Sequence, residues 1–263
     1  LTKMMTLYIV FDYLNKNKLT GDSKLSVSKN AASQPRSKLY VEEGAFITVN
    51  NAVRALIIKS ANDVATVVAE NISGSEREFA KLMTKYGKKI GMRKTTFKNA
   101  SGLRNQAQLT TARDIATLSY ALISDFPEYY KLFSERKFTW KDKTYKTHNR
   151  LMLKYEGADG IKTGYLASSG FQLALSVVRN NQRLIGVYFG GDTSKQRDQR
   201  LTIIMDKVFN NLQKKYSKNE NNNKKTTSGK YKIVVGTFKY KKNAEQQIKI
   251  IQKNYPKTTD NKE

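Results

Sequence analysis

Two apolar runs joined by a short polar segment constrain the fold most. Residues 171–178 (FQLALSVV) and 184–189 (LIGVYF) are rich in β-branched and aromatic side chains, and polar residues 179–183 connect them. This pattern predicts an antiparallel hairpin. The segment before it, Asp159-Gly160-Ile161-Lys162-Thr163-Gly164-Tyr165, is expected to lie beside the hairpin as a third strand. The chain is therefore expected to contain an antiparallel sheet.

The third strand carries Lys162-Thr163-Gly164. On a sheet edge its ammonium and hydroxyl groups would face a cleft, and the glycine would let a substrate backbone come close. Alone the motif is a weak signal, since an ordinary strand that carries a lysine gives the same three residues. Other motifs in the chain decide whether Lys162-Thr163-Gly164 marks a functional site.

A largely apolar helix is predicted over residues 1–14, and apolar side chains on most of its sides indicate burial. Lys3 stands in its first turn. Either Lys3 points out of the helix start, or it is held in a site where desolvation and nearby cations lower its pKa.

A second candidate site lies at a predicted helix junction. One helix is expected from an N-cap at Thr48 to about Lys59, and another carries Val64, Val67 and Val68. Ser60-Ala61-Asn62 falls between them. Ser60 can be an N-cap, or Ser60 and Asn62 can both face one cavity.

Capping patterns predict further helices that start at Ser75 and Thr111, the first ending near Ile90 with Gly91 as C-cap. A small surface hairpin is expected around residues 141–143. A long helix over residues 195–216 is expected to cover one face of the sheet through Leu201, Ile204, Val208 and Leu212.

Composition excludes several kinds of chemistry. The chain has no Cys and one His, His148, so thiol catalysis, disulfides and multi-His metal centres are excluded. A Lys, Tyr or carboxylate is then expected to perform any acid–base step, and His148 is expected to be structural or on the surface. The net charge of +26 favours anionic partners, although a solvated Lys-rich surface explains it equally well. No nucleic-acid-binding motif is present, and nucleic acid is not expected as a partner.

Taken together, the three candidate motifs resemble S-x-x-K, S-x-N and K-T-G of penicillin-binding proteins and serine β-lactamases. The flanking residues resemble more closely the D-alanyl-D-alanine carboxypeptidases among the low-molecular-weight penicillin-binding proteins, over about residues 1–213. The matching segments are Leu1-Thr2-Lys3-Met4-Met5-Thr6, Val27-Ser28-Lys29-Asn30-Ala31, Lys59-Ser60-Ala61-Asn62-Asp63-Val64-Ala65, Thr110-Thr111-Ala112-Arg113-Asp114 and Asp159-Gly160-Ile161-Lys162-Thr163-Gly164-Tyr165.

The resemblance implies an α/β (α+β) transpeptidase-like fold over residues 1–216, with an antiparallel sheet flanked by helices and an all-helical lobe. It implies a serine peptidase that removes the terminal D-alanine from peptidoglycan stem peptides, binds β-lactams and needs no metal or cofactor. The implied catalytic residues are Lys3, Ser60, Asn62 and Lys162, and the implied substrate-binding residues are Lys162, Thr163, Gly164 and Tyr165.

In that family the nucleophilic serine stands three residues before the motif lysine, which is the position directly before Leu1. The chain is therefore expected to be an N-terminally truncated fragment that lacks the upstream strands of the sheet and is inactive as given. No signal peptide can be read. The family implies a bacterial periplasmic or extracytoplasmic location and a role in the cell wall.

Two alternatives remain. A class A β-lactamase-like enzyme would need an acidic residue before the K-T-G strand, for which Glu128 and Glu135 are candidates. A non-catalytic peptidoglycan-binding protein would keep the fold and the basic surface without hydrolysis.

The C-terminal region is expected to be separate. Residues 217–229 are predicted to be a polar linker. Residues 230–263 resemble the first half of a SPOR domain, a module that binds peptidoglycan glycan strands, with a strand over 231–238 and a helix with Ala244, Ile248, Ile251 and Tyr255 on one face. A basic amphipathic tail is the alternative.

Overall fold

The computed structural model describes residues 1–220 and 231–237, with side chains to residue 214. The α-helices are α1 Lys3–Asn15, α2 Lys29–Ser33, α3 Val49–Arg54, α4 Asn62–Ser73, α5 Glu76–Lys89, α6 Ala112–Asp125, α7 Pro127–Tyr130 and α8 Ser194–Glu220. A π-helical turn spans Ala55–Lys59 and a 3₁₀ turn spans Lys131–Ser134. The strands are β1 Lys24–Ser26, β2 Phe46–Thr48, β3 Lys137–Trp140, β4 Lys143–Lys146, β5 Ala158–Leu166, β6 Gly170–Arg179, β7 Gln182–Gly191 and β8 Tyr231–Thr237.

The main sheet has the strand order β5-β6-β7-β8. β5 pairs with β6 and β6 with β7, both antiparallel, so the predicted hairpin and third strand are confirmed. The connection is shorter than the predicted five residues, because Arg179 already pairs with Gln182. Asn180 and Asn181 alone form the turn, with φ of 49° and 57°. Positive φ at both positions is typical of a type I′ turn, which Asn adopts at low cost.

The strand predicted near residue 231 is present as β8, which lies parallel to β7 with Arg183 opposite Tyr231. The C-terminal residues are thus partly joined to the main sheet. Most of the predicted linker and the predicted helix of the SPOR-like module lie outside the described residues. α8 continues to Glu220, past its predicted end at Tyr216, and no Gly or Pro interrupts residues 217–220.

The helical lobe is built around α1, and the predicted burial of this helix is confirmed. The side chains of Met4, Met5, Leu7, Ile9 and Phe11 have no solvent exposure, and α1 contacts α4, α5 and α6. Burial of a large apolar side chain contributes about 1.5–3 kcal/mol each. The position of α1 is therefore fixed by packing on all sides.

Three predicted helix starts are confirmed by their caps. The side chains of Thr48, Ser75 and Thr111 accept hydrogen bonds from backbone N–H groups in the first turn of α3, α5 and α6. Gly91 follows α5 with a φ of 93°, as expected for a C-cap glycine.

Helices cover both faces of the main sheet. Alternating residues of β6 and β7, such as Leu173 and Leu184, pack against Leu201 and Met205 of α8. The intervening positions, such as Ala174, belong to the core that contains α1. The mixed α/β class with an antiparallel sheet and a helical lobe is confirmed, and the parallel pairing of β8 is an addition to it. In the part of the chain that the structure describes, no helix combines the length and hydropathy that a membrane span needs.

Candidate active site

One cavity of about 1110 Å³ lies where α1, the start of α4 and β5 meet. Its lining includes every residue that the sequence proposed as catalytic or substrate-binding: Lys3, Ser60, Asn62, Lys162, Thr163, Gly164 and Tyr165. The three motifs, although about 60 and 100 residues apart in the chain, thus face a single space.

Lys3 is held by two hydrogen bonds. Its Nζ donates to Asn62 Oδ1 and to the backbone carbonyl of Ser101, both at 2.7 Å. A neutral amine has two N–H bonds and one lone pair, so these two acceptors leave the lone pair available for a proton. The side chain is buried, which excludes the alternative that Lys3 points out of the helix start.

Burial and charge repulsion both favour the neutral form of Lys3. Desolvation, and after it repulsion from Lys162, lowers the pKa of Lys3 to about 7, against a smaller opposing effect of Asp63 and Glu76. Desolvation lowers the pKa of Lys162 to about 8. At neutral pH the site therefore contains one amine poised to accept a proton beside a second amine that is mostly charged.

The backbone nitrogen of Leu1 lies in the same place. Leu1 lines the same cavity as Lys3 and Lys162. A Cβ atom on Gly164 would lie 3.1 Å from the same nitrogen and 2.8 Å from Gln172 Oε1. The glycine of the strand is therefore needed for the close approach of α1, in addition to any approach of a substrate.

Ser60 follows the π-helical turn and adopts a left-handed conformation with φ 58° and ψ 41°. The N-cap position of α4 belongs to Ala61, so the N-cap interpretation of Ser60 is wrong. Within the described residues the Ser60 hydroxyl makes no hydrogen bond, and it lines the cavity. Backbone strain of this kind concentrates at functional sites.

Asn62 and its neighbour Asp63 are fixed by the loop before β2. Asn62 Nδ2 donates to the carbonyl of Pro35 at 3.0 Å, which orients its Oδ1 towards Lys3. The buried carboxylate of Asp63 accepts hydrogen bonds from the backbone N–H groups of Leu39, Tyr40, Val41 and Val64. Since Asp63 attaches this loop to the start of α4, it supports the position of Asn62.

The loop that accepts from Lys3 is also anchored. Glu76 Oε1 accepts from the backbone N–H of Ala100 at 3.0 Å, and Thr6 Oγ1 donates to the carbonyl of Ala100 at 2.8 Å. The carbonyl of Ser101 is thereby held beside Lys3.

β5 is an edge strand of the sheet, so the backbone N–H and C=O groups on the side away from β6 are not paired with another described strand. Its start is fixed by Asp159, whose carboxylate accepts from Arg183 at 2.6 Å and from Tyr130 at 3.1 Å. Desolvation by burial raises the pKa of Tyr130 well above its ordinary value, which keeps this phenol a hydrogen-bond donor. β5 therefore presents Lys162, whose side chain is buried, and Thr163 from a rigid base.

Sequence reasoning missed some cavity residues. His148, expected to be structural or on the surface, is exposed and also lines the cavity. Desolvation, followed by repulsion from Lys162, Lys59 and Arg150, lowers its pKa to about 4. Arg197 at the start of α8 also lines the cavity; it is buried and donates to the carbonyl of Gln172 at 3.2 Å. His148 could have been singled out because it is the only His in the sequence. No sequence signal distinguishes Arg197 from the other arginines.

The acidic residues considered for a β-lactamase-like mechanism lie elsewhere. Glu128 pairs with Lys131 and Glu135 pairs with Arg54, and neither lines the cavity. Among the described residues, no cluster of three or more His, Asp or Glu side chains can hold a metal ion. The chemistry that the arrangement supports is proton transfer to an amine and electrostatic binding of an anion.

Comparison with known proteins identifies the family. A family profile described as D-alanyl-D-alanine carboxypeptidase matches residues 1–193. The chain belongs to the D-alanyl-D-alanine carboxypeptidase family. Within it, the chain is 33% identical over 246 residues to the carboxypeptidase DacF of Bacillus subtilis, covering 89% of this chain and 62% of DacF. It is 34% identical over 212 residues to DacD of Escherichia coli, covering 78% and 55%.

Solved structures of family members have the same fold. Penicillin-binding protein 5 of Haemophilus influenzae has a TM-score of 0.75 at 30% identity, covering 79% of this chain and 62% of that one. Penicillin-binding protein D2 of Listeria monocytogenes, in a cefotaxime-bound form, has a TM-score of 0.70 at 28% identity, covering 78% and 84%. The chain spans between half and two thirds of the length of DacF and DacD.

Proposed function

We propose that this family member is the catalytic part of a serine-type carboxypeptidase that removes the terminal D-alanine from peptides ending in D-alanyl-D-alanine, as found in peptidoglycan. One observation carries the proposal. Lys3, Ser60 and Lys162 line a single cavity into which the backbone nitrogen of Leu1 also reaches. A residue directly before Leu1 would lie in this cavity, and the Ser-x-x-Lys pattern requires a serine there.

In the proposed first step, neutral Lys3 takes the proton of that serine, and the serine oxygen attacks the carbonyl carbon between the two D-alanines. The C–N bond then breaks to give an acyl-enzyme and free D-alanine. The Ser60 hydroxyl relays the proton to the leaving nitrogen. Asn62 keeps Lys3 in place through its 2.7 Å hydrogen bond. Water then gives a proton to Lys3 and attacks the ester carbonyl. The C–O bond to the serine breaks, Lys3 returns the proton to the serine oxygen, and the shortened peptide is released.

The same site would stabilise negative charge. The backbone N–H of Tyr165, on the edge strand β5, and that of the serine would form the oxyanion hole. The Lys162 ammonium and the Thr163 hydroxyl would bind the terminal carboxylate of the substrate. The absence of a side chain at Gly164 leaves room for Leu1, directly before which the serine would stand.

β-Lactams are proposed to acylate the same serine. In support, two structural relatives are named penicillin-binding proteins, and one of them is in a cefotaxime-bound form. Since peptidoglycan lies outside the cytoplasm, an extracytoplasmic place of action follows from the proposed substrate. The periplasm is proposed on the basis of the family alone.

Covalent labelling with a fluorescent penicillin tests this function. We expect labelling of a chain extended by the serine before Leu1 and by the strands that precede it in relatives. Lys162→Ala should abolish the label, whereas Lys24→Ala, at an exposed position of β1, should leave it unchanged. If the extended chain folds and does not label, the enzymatic function is wrong and a non-catalytic wall-binding role replaces it.

We also propose that residues 230–263 bind glycan strands, on the basis of the SPOR-like sequence pattern alone. A pull-down on glycan strands stripped of stem peptides, compared with intact wall, tests this. Selective retention on stripped glycan is expected. Equal retention on both that disappears at high salt would leave only nonspecific charge.

A further inference from the structure

The cavity lining is strongly cationic. The described chain contributes six Lys or Arg side chains and one His to the lining, and no Asp or Glu, although the sequence contains 22 acidic residues. Two of the six, Lys3 and Lys162, belong to the proposed reaction. The remaining four are Arg36, Lys146, Arg150 and Arg197.

These four side chains differ in their surroundings. Arg197 is buried and paired with Asp198 at 2.7 Å, so its charge is largely balanced. Arg36, Lys146 and Arg150 are exposed, and none of them forms an ion pair with a described residue. We call these three the cationic rim. Arg36 contacts the ring of Tyr40 at 6.0 Å, which steadies its position and leaves its charge free.

The rim comes from separate parts of the chain. Arg36 lies on the loop that Asp63 and Asn62 attach to the start of α4, because the backbone N–H of Asn62 donates to the carbonyl of Ser37 at 2.7 Å. Lys146 ends β4, and Arg150 follows between β4 and β5. Uncompensated charges of one sign around a cleft raise the local concentration of ligands of the opposite sign.

We propose that the cationic rim selects peptides that carry further carboxylates beyond the terminal one, so that an acidic stem peptide is bound in preference to its amidated form. This inference rests on the proposed function, since it places the D-alanyl-D-alanine end at Lys162 and Thr163. The body of the peptide then leaves the cavity past the rim. Each rim cation adds a screened attraction for a side-chain carboxylate.

Binding of two matched peptides to the 263-residue chain tests the inference. Both end in D-alanyl-D-alanine, one with glutamate and the other with glutamine in its body, and affinity is measured by calorimetry at low and high salt. We expect the glutamate peptide to bind about five- to tenfold more tightly at low salt. High salt, or the pair Arg36→Gln and Lys146→Gln, should reduce this preference to less than twofold. Lys85→Gln, on the exposed side of α5, should keep it.

The outcomes separate the inference from the function on which it rests. Equal binding of the two peptides overturns the rim's role and leaves the carboxypeptidase function standing. Absence of binding by both peptides overturns both. Inorganic polyphosphate that displaces the two peptides equally well shows general charge attraction and also overturns the proposed selectivity.

Discussion

The Nζ of Lys3 donates a hydrogen bond of 2.7 Å to Oδ1 of Asn62, 59 residues further along the chain. This bond joins the first turn of α1 to the first turn of α4. It also leaves the amine lone pair unused, because the second N–H points to the carbonyl of Ser101. The contact therefore couples the packing of the helical lobe to the state of the proposed general base.

Stability is expected to rise with pH because of Lys3. The ordinary lysine pKa of 10.5 is lowered to about 7 in the folded protein. Below pH 7 both states are charged, and the cost of burying the ammonium is fully present. Between about pH 7 and 10.5 the folded amine is neutral while the unfolded chain still binds a proton, so the free energy of unfolding increases with pH. Denaturant unfolding across this range should show a shallower rise for Lys3→Met than for the parent.

The exposed lysine of β1 supplies the control. Lys24→Met should retain the parent's pH slope. Identical slopes for all three proteins would show that Lys3 is charged in the folded state at every pH tested.

Asp63→Asn should destabilise the protein by about 2–4 kcal/mol. One carboxylate accepts four backbone hydrogen bonds from the loop at Leu39–Val41 and from Val64, and an amide cannot accept all of them. Thermal unfolding measures the loss, with exposed Asp22→Asn as the matched change. A loss below about 0.5 kcal/mol would mean that the loop is held by other contacts.

Two glycine-to-alanine changes should have opposite effects. A Cβ on Gly164 would meet Gln172 Oε1 at 2.8 Å and the nitrogen of Leu1 at 3.1 Å, so Gly164→Ala should displace the start of α1 and cost about 1–3 kcal/mol. A Cβ on Gly87 in α5 makes contacts no closer than 3.5 Å. Gly87→Ala should therefore stabilise, by up to about 1 kcal/mol, through helix propensity. Equal effects of the two changes would contradict the close approach at β5.

A chain that ends at Glu220 should lose protection of β7. β8 pairs with β7 over seven residues, from Arg183–Tyr231 to Phe189–Thr237, so its removal exposes the backbone groups of that edge. Hydrogen exchange is expected to accelerate at alternate amides of β7 and to remain unchanged in β5. Unchanged exchange in β7 would show that β8 does not protect this edge in solution.

Local patterns predicted much of the fold. The hairpin of β6 and β7, the capped helices and the enclosed α1 each depend on residues near one another in sequence. The pairing of strands was harder to predict than the strands themselves. The residues of β8 indicate a strand, but β8 pairs with the edge of β7 through backbone N–H and C=O groups, which are the same in every residue type.

The sequence motifs predicted the main residues of the candidate site. Contacts between residues far apart in the sequence were not predicted. The carbonyl of Ser101 accepts a hydrogen bond from Lys3, which is 98 residues away in the sequence. Because every residue has a backbone carbonyl, the residue type gives no sign of this contact. The left-handed conformation of Ser60 depends on the preceding π-helical turn, whose residues Ala55, Leu56, Ile57 and Ile58 are buried on all sides and show no helical periodicity. His148 joins the cavity only because the segment after β4 folds back towards β5.

The burial of α1 determines how the protein is expected to unfold. The helix that bears Lys3 has no solvent-facing side from Lys3 to Phe11, so it cannot detach while the surrounding helices stay in place. Fraying, which at most helix ends is a local event, would here open the lobe as a whole. Ligand affinity and global structure should accordingly be lost at the same urea concentration, with no populated intermediate that is folded but unable to bind.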